Sequence, residues 1–394
     1  MSIQPLEQRS SGTGLQGDQS IRRSIGIAGG GQLAQMMIPA GRNLGLEITV
    51  LDPDAHCAAR SLADNLIVGG LDAREALNEL ASRTEAVTFE IERVSATLLA
   101  ELEAQGTWVA PSSGVLAVVQ DKLVQKKFLS DRGLLVAPFF ELEDSATLAS
   151  ALPCVWKARR GGYDGRGVAV LRDASDIAEL PEVPAMIEAC IDIEREFALM
   201  AARDERGNVL CYPLTEILMD PKAHVLDTVV MPAQADAKVE AKCREAIHQI
   251  LEAFEYVGIL AVEFFLARDG EVYVNEISPR VHNSGHFTIE ACETSQFEQH
   301  LRCVGGLPLG AIGAASAAAT FNLLGTRDSH GNALFLKPSD DELPHGVFVH
   351  DYEKRPVRVG RKLGHVTVVG TSREEVLMTV NNIKRQLELR AGEH

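Results

Sequence analysis

Several common protein classes are ruled out by what this chain lacks. Its seven cysteines, Cys57, Cys154, Cys190, Cys211, Cys243, Cys292 and Cys303, all stand singly. Without a CxxC pair, neither a zinc site nor a thioredoxin-like motif is supported, and an odd, scattered set fits a reducing compartment. No apolar run is long enough to span a membrane. The first twenty residues have no apolar signal core. The expectation is a cytoplasmic protein with no membrane partner. Positive charge is scarce: 38 Lys and Arg face 55 Asp and Glu, a net charge of −17. Such a surface repels nucleic acid as well as anionic lipid. A polyanionic substrate would therefore need local cations and metal ions. There is no internal repeat.

Enough apolar residues are present for a compact protein, 46% hydrophobic against 24% charged over 394 residues, which suits two or three domains. Residues 1–22, rich in Gln, Ser and Gly, read as a flexible extension. From Ser24, short apolar strands at 25–28, 48–51, 66–68 and 86–89 alternate with helical patterns at 32–44, 73–83 and 96–105. That order predicts a parallel α/β sheet. A helix is expected over 120–132. Strands then dominate, at 155–158, 167–171, 186–188, 197–201 and 209–213. A helical pattern over 237–255 leads to two more strands, 260–266 and 271–277, joined by an Arg268-Asp269-Gly270 turn. The last unit is short and β-like, and ends in a helix at 373–389.

Four segments carry polar chemistry. Gly29-Gly30-Gly31-Gln32-Leu33 follows the first strand, where glycines let a backbone approach an anion at a helix N-terminus. It is not a complete GxGxxG, and a turn needed only for packing remains open. The stretch from Lys157 to Gly167 holds four glycines and four basic residues, a loop suited to closing over phosphates. Glu263 and Glu276, with Asn275 adjoining, sit in apolar strands where lone charges would be costly. Two such acids on adjacent strands suit Mg²⁺ bridging nucleotide phosphates. Arg280, His282, Asn283, Ser284 and His286 then crowd one loop. Near the end, Tyr352-Glu353-Lys354, Arg358, Arg361-Lys362 and His365 form a cationic cluster suited to a phosphate.

Together these segments resemble the ATP-grasp family, and within it the N5-carboxyaminoimidazole ribonucleotide synthetases. The resemblance spans residues 24–387. It rests on GGGQL at 29–33, PSSGVLAVVQDKLVQKKFL at 111–129, RRGGYDGRG at 159–167, NEISPRVHNSGH at 275–286, TSQFEQHLR at 294–302 and GRKLGH at 360–365. It implies an α/β (α+β) ATP-grasp fold: a parallel α/β unit over 23–118, an ATP-grasp unit over 119–323 and a small β-rich unit over 324–394. It also implies ATP- and bicarbonate-dependent carboxylation of 5-aminoimidazole ribonucleotide through carboxyphosphate, Mg²⁺ or Mn²⁺ as cofactor, a homodimer, and a mutase acting on the product. By residue, it makes Lys122, Lys157, Arg159, Gly162, Asp164, Gly165, Gly167, Glu188, Cys190, Ile191, Glu196, Asn275 and Glu276 nucleotide contacts. Glu263 and Glu276 become metal ligands, and Arg280, His282 and Tyr163 catalytic groups. Gln32, Leu33, Glu90, Lys354, Arg361 and Lys362 then line the ribonucleotide pocket. The chain departs from the family pattern at Ala34-Gln35, at 216–219, and at Glu353, where glycine is common. The rival readings are a sister ATP-grasp enzyme such as a formate-dependent glycinamide ribonucleotide transformylase or a biotin carboxylase, an NAD-dependent oxidoreductase, and a silent nucleotide-binding regulator.

Overall fold

The computed structural model describes residues 21–161, 167–219, 226–326, 328, 343–354 and 356–391. Residues 1–20 of the expected N-terminal extension, and Gly162, Tyr163, Asp164 and Gly165 of the glycine loop, lie outside them.

The chain opens as strand–helix alternation: β1 (Ser24–Ala28), α1 (Gln32–Asn43), β2 (Glu47–Asp52), β3 (Asn65–Val68), α2 (Arg74–Arg83), β4 (Ala86–Phe89), α3 (Ala96–Ala104) and β5 (Trp108–Val109). The five strands form one parallel sheet in the order β3-β2-β1-β4-β5. Strands β1 and β4 are buried nearly throughout, as a sheet covered on both faces requires.

Two helices, α4 (Ser113–Val119) and α5 (Lys122–Ser130), lead out of this unit. Asp121 caps α5 by accepting from the N–H groups of Leu123 and Val124. A small antiparallel sheet follows, from β6 (Phe139–Glu141), α6 (Ser145–Ser150), β7 (Cys154–Ala158), β8 (Val168–Leu171) and β9 (Ala185–Ala189), in the order β6-β9-β7-β8.

The remaining strands join a second, nine-stranded sheet. They are β10 (Ile193–Arg203), β11 (Val209–Cys211), β12 (Thr215–Met219) and β13 (Leu226–Met231), then, past α7 (Ala237–Ala253), β14 (Gly258–Ala267) and β15 (Val272–Ser278). After α8 (Thr288–Ala291) and α9 (Gln296–Val304) come β16 (Ala317–Leu324), β17 (Val347–Asp351), β18 (Lys362–Gly370) and the final helix α10 (Arg373–Ala391). The order is β15-β14-β10-β12-β13-β16-β18-β17, with β11 on β10. The C-terminal strands thus extend the central sheet through the β13–β16 pairing.

Strand β16 shows why its sequence pattern is hard to read. Its opening Ala-Ala-Ala favours helix by propensity. Yet Ala318 faces the core shared with α1 and α9, while Ala317 and Ala319 face the core under α10. A strand buried on both sides needs small side chains, and packing overrides propensity. Strand β11 stops at Cys211, two residues short of the sequence expectation.

One buried histidine joins the N-terminal unit to the central sheet. His300 Nδ1 accepts from the Ile259 N–H at 3.1 Å, and its Nε2 lies 2.8 Å from the Thr88 hydroxyl. Burial pushes this imidazole down to about 4, so it is neutral at physiological pH and can accept that N–H.

Candidate active site

The β14–β15 hairpin forms the floor of a cleft between the two antiparallel sheets. Near the turn its register runs Leu266 to Val272, Phe265 to Tyr273 and Phe264 to Val274. A bulge between Glu263 and Phe264 then sets Glu263 opposite Glu276. Without it, Glu263 would face Asn275, and Glu276 would pair with the core residue Val262. The bulge brings Glu263, Asn275 and Glu276 to one side, while Val262, Val274 and Ile277 stay in the core. The two carboxylate side chains retain 21% and 36% exposure, open to the cleft.

Their environments differ. Lys122 Nζ lies 2.6 Å from Glu276 Oε2, and this cation holds the Glu276 carboxyl well below the usual range. Burial and the neighbouring Glu276 charge push Glu263 the other way. Glu196, on β10 beside them, is also raised by burial. An acid cluster so biased gains from a cation.

The small sheet supplies the facing wall. Lys157, on β7, lies 2.8 Å from Glu188 Oε2 on β9 and donates to Asn275 Oδ1 across the cleft at 3.3 Å. Glu188 is 3% exposed. Burial would raise it, but Lys126 and Lys157 outweigh that and hold it low. Lys126 Nζ stands 3.2 Å from Glu188 Oε1 and donates to the Val274 carbonyl; burial lowers this lysine to about 8. Cys190 and Ile191 lie in the short link from β9 to β10, which joins the small sheet to the nine-stranded one. Arg159 is engaged by Asp121 at 2.7 Å and Glu141 at 2.5 Å, and its carbonyl accepts from the Lys122 N–H. It ties the end of β7 to the start of α5. Gly167 holds a φ of +76°, where the chain returns into β8.

Past β15 the loop turns towards the N-terminal sheet. Arg280 Nε lies 2.8 Å from Glu92 Oε1, just beyond β4. His282 Nε2 is 3.8 Å from Glu263 Oε1, and its Nδ1 is 2.9 Å from the Ser284 hydroxyl. The Gln296 amide clamps the His282 backbone, accepting from its N–H at 2.9 Å and donating to its carbonyl at 2.7 Å.

Gly29–Gly31 is not an open phosphate cradle. Glu90 accepts from the N–H groups of Gly31 at 3.0 Å, Leu33 at 3.2 Å and Ala34 at 3.4 Å. Asp52 accepts from Gly30 at 2.7 Å. A Cβ on Gly29 would come within 2.7 Å of the Glu90 side chain. The glycines admit two internal carboxylates, which engage the N–H groups of this turn. Beside it, Lys354 Nζ is hydrogen-bonded to Gln32 Oε1, joining α1 to the C-terminal unit. Arg361 donates to the Pro356 carbonyl at 2.7 Å. It also faces Arg358 and Asp54, so this edge is basic. Lys362 begins β18.

Three family models match the chain in succession: a ribonucleotide synthetase preATP-grasp domain over residues 22–120, an ATP-grasp domain over 127–297 and a phosphoribosylaminoimidazole carboxylase C-terminal domain over 318–379. The N5-carboxyaminoimidazole ribonucleotide synthase of Brucella melitensis is 38% identical over 355 residues, covering 87% of this chain and 95% of that protein. The chain belongs to the N5-carboxyaminoimidazole ribonucleotide synthase family. The crystal structure of the Thermotoga maritima synthetase, 35% identical, superposes with a TM-score of 0.82 and covers 92% of this chain and 98% of that one. The Aspergillus clavatus synthase, solved with ADP and 5-aminoimidazole ribonucleotide, is 28% identical with a TM-score of 0.83, covering 93% and 99%.

The carboxyaminoimidazole synthase fold of this chain has helpers that the motifs did not single out. Asp121 and Glu141 hold Arg159, Lys126 pairs with Glu188, Glu92 with Arg280, Gln296 clamps the His282 backbone, and Gln125 accepts from the Ile277 N–H next to Glu276. Asp121, Gln125, Lys126, Gln296 and His300 fall inside segments that carried the resemblance. Glu92 stands two residues after Glu90, and only the approach of Arg280 gives it meaning.

Proposed function

We propose that the chain uses ATP and bicarbonate to carboxylate the exocyclic amine of 5-aminoimidazole ribonucleotide. The observation that carries this reading is the directly opposed Glu263–Glu276 pair, with Lys122 and Lys157 above it. The arrangement suits phosphoryl transfer, where catalysis is mostly alignment and charge neutralisation.

A bicarbonate oxygen attacks the γ-phosphorus, the bond to the β-phosphate bridging oxygen breaks, and ADP leaves. The amine nitrogen then attacks the carbonyl carbon of carboxyphosphate. The carbon–oxygen bond to phosphate breaks, inorganic phosphate departs, and the amine loses a proton. Lys122 and Lys157 neutralise the nucleotide phosphates, exchanging carboxylate partners for phosphate oxygens. Glu188, Cys190 and Ile191 border the adenine, and Glu196 the ribose. Arg280 stands between the transferring group and the acceptor. His282, with its Nδ1 at the Ser284 hydroxyl, orients bicarbonate or takes the released proton. Gln32, Leu33, Glu90, Lys354, Arg361 and Lys362 hold the ribonucleotide.

Glu263 and Glu276 fit Mg²⁺: they are hard oxygen donors facing one side, and one of them is raised by the other's charge. Among the described residues no three potential ligands form a ready-made metal cage. Mg²⁺ typically takes one or two carboxylates and completes its shell with substrate phosphates and water. Bound there, it would neutralise charge on the nucleotide phosphates. A homodimer, and a mutase consuming the product, belong to the same reading. No helix among the described residues is long and apolar enough to cross a membrane.

The test is ADP release with bicarbonate, comparing 5-aminoimidazole ribonucleotide with glycinamide ribonucleotide plus formate. Release that depends on the first and ignores the second is expected. The reverse would move the chain to the sister transformylases.

A further inference from the structure

Four rings that the proposed reaction does not use pack where the C-terminal unit meets the loop bearing Arg280 and His282. His350 on β17 and His365 on β18 are direct cross-strand partners, stacked with centroids 4.3 Å apart. His286, four residues after His282, lies against His365 at 4.6 Å. The Tyr352 hydroxyl is 2.8 Å from His365 Nδ1. Tyr352, His286 and His365 are all 1% exposed or less. Burial depresses the His286 and His365 imidazoles and keeps those two neutral.

Tyr352 also stands two residues before Lys354. Its N–H donates to the Leu363 carbonyl at 2.9 Å, which pins the end of β17 to β18. The next residue, Glu353, turns the chain in the left-handed region with a φ of +51°, its N–H held by Asp351 Oδ1 at 2.8 Å. A non-glycine residue persists there only when its surroundings over-determine the backbone. Lys354 emerges from the turn with Nζ bonded to Gln32 and 5.4 Å from the centre of the Tyr352 ring. The ring and its hydroxyl thus anchor one side of a strained turn whose other side presents the lysine.

We propose that Tyr352 is a positioning residue for the second substrate. Seated on His365 and, behind it, His286, it aims Lys354 into the ribonucleotide pocket without touching the substrate. The proposal rests on Lys354 being a ribonucleotide contact.

The test is a double-mutant cycle of Tyr352→Phe and Lys354→Ala in the full chain, reading the KM for 5-aminoimidazole ribonucleotide, the KM for ATP and kcat. Thermal unfolding serves as the folding control. Tyr352→Phe removes the hydroxyl alone and should raise the ribonucleotide KM roughly three- to tenfold, leaving the KM for ATP and kcat in place. On a Lys354→Ala background the same change should add nothing, because it acts through that lysine. A Tyr352 effect that persists undiminished without Lys354, or one that falls equally on ATP and kcat, overturns the positioning role. An unchanged ribonucleotide KM in Tyr352→Phe, with a raised one in Lys354→Ala, overturns it too and leaves the pocket reading standing. An unchanged ribonucleotide KM in Lys354→Ala overturns both.

Discussion

The cleft floor and the proposed ribonucleotide pocket are built in opposite ways. The floor comes from one hairpin: Glu263 and Glu276 are cross-strand partners on adjacent strands, joined by a single turn. The pocket joins distant segments. The Lys354–Gln32 contact spans 322 residues of chain, and the lysine leaves a left-handed turn seated on three buried rings. A site drawn from one sheet inherits its geometry from backbone hydrogen bonds and is rigid at little extra cost. A pocket assembled between units depends on every seam that holds them together. In the proposed reading, chemistry common to phosphoryl transfer sits on the first, and recognition of one particular substrate on the second.

The largest effect expected is on the floor. Glu276→Gln keeps the shape and hydrogen-bonding reach but removes the charge. It should lower kcat/KM by roughly 10²–10³, the cost of losing one charge-stabilising group at a reacting centre, with circular dichroism unchanged. Near-normal ADP release at ordinary magnesium would mean the floor is not the metal site.

The seam comes next. His300 is held low in the folded chain, so its contribution to stability is fully present above the unfolded value of about 6.5 and is lost as pH falls towards 4. That loss amounts to about 3 kcal/mol. Urea unfolding at pH 7 and pH 4 should show the wild type losing that much more than His300→Gln. Equal losses would remove the histidine as the acid-sensitive joint.

The pocket should respond to Lys354→Ala by about 1.5–3 kcal/mol, tenfold and upward in the ribonucleotide KM, while the KM for ATP stays put. Weakening of ATP alone would assign this cluster to the nucleotide and erase the contrast. The smallest effect belongs to Glu353→Gly. Relief of the left-handed turn is partly offset by glycine's unfolded-state entropy, leaving a gain of up to about 1 kcal/mol. Its readout is a higher melting temperature. A lower one would mean that the Glu353 side chain itself stabilises the turn.

Much of this was legible beforehand. The strand–helix alternation from Ser24 announces the parallel sheet, and Arg268-Asp269-Gly270 announces the hairpin, because local turn chemistry and period-two patterning dictate both. Strands β12, β13 and β16 were not legible in this way. No strand was expected at β16, whose alanines favour helix by propensity, and β12 and β13 matter only through partners far away in sequence. Glu92 carried no local signal, since it acts by reaching another segment, and what Lys126 and Gln296 hold is decided by segments far from their own motifs.

The sequence by itself determined that two acids would lie near one another on a two-stranded ribbon, each in an apolar strand. Only the tertiary structure decided that they would face the same way. One extra residue on β15, Asn275, opposite the step from Phe264 to Glu263, shifts the register by one. In a pleated ribbon a shift of one residue moves a side chain to the other face. Nothing in the local pattern fixes where such a bulge falls. Here Val262 and Ile277 pack into the core and leave the carboxylates to the cleft.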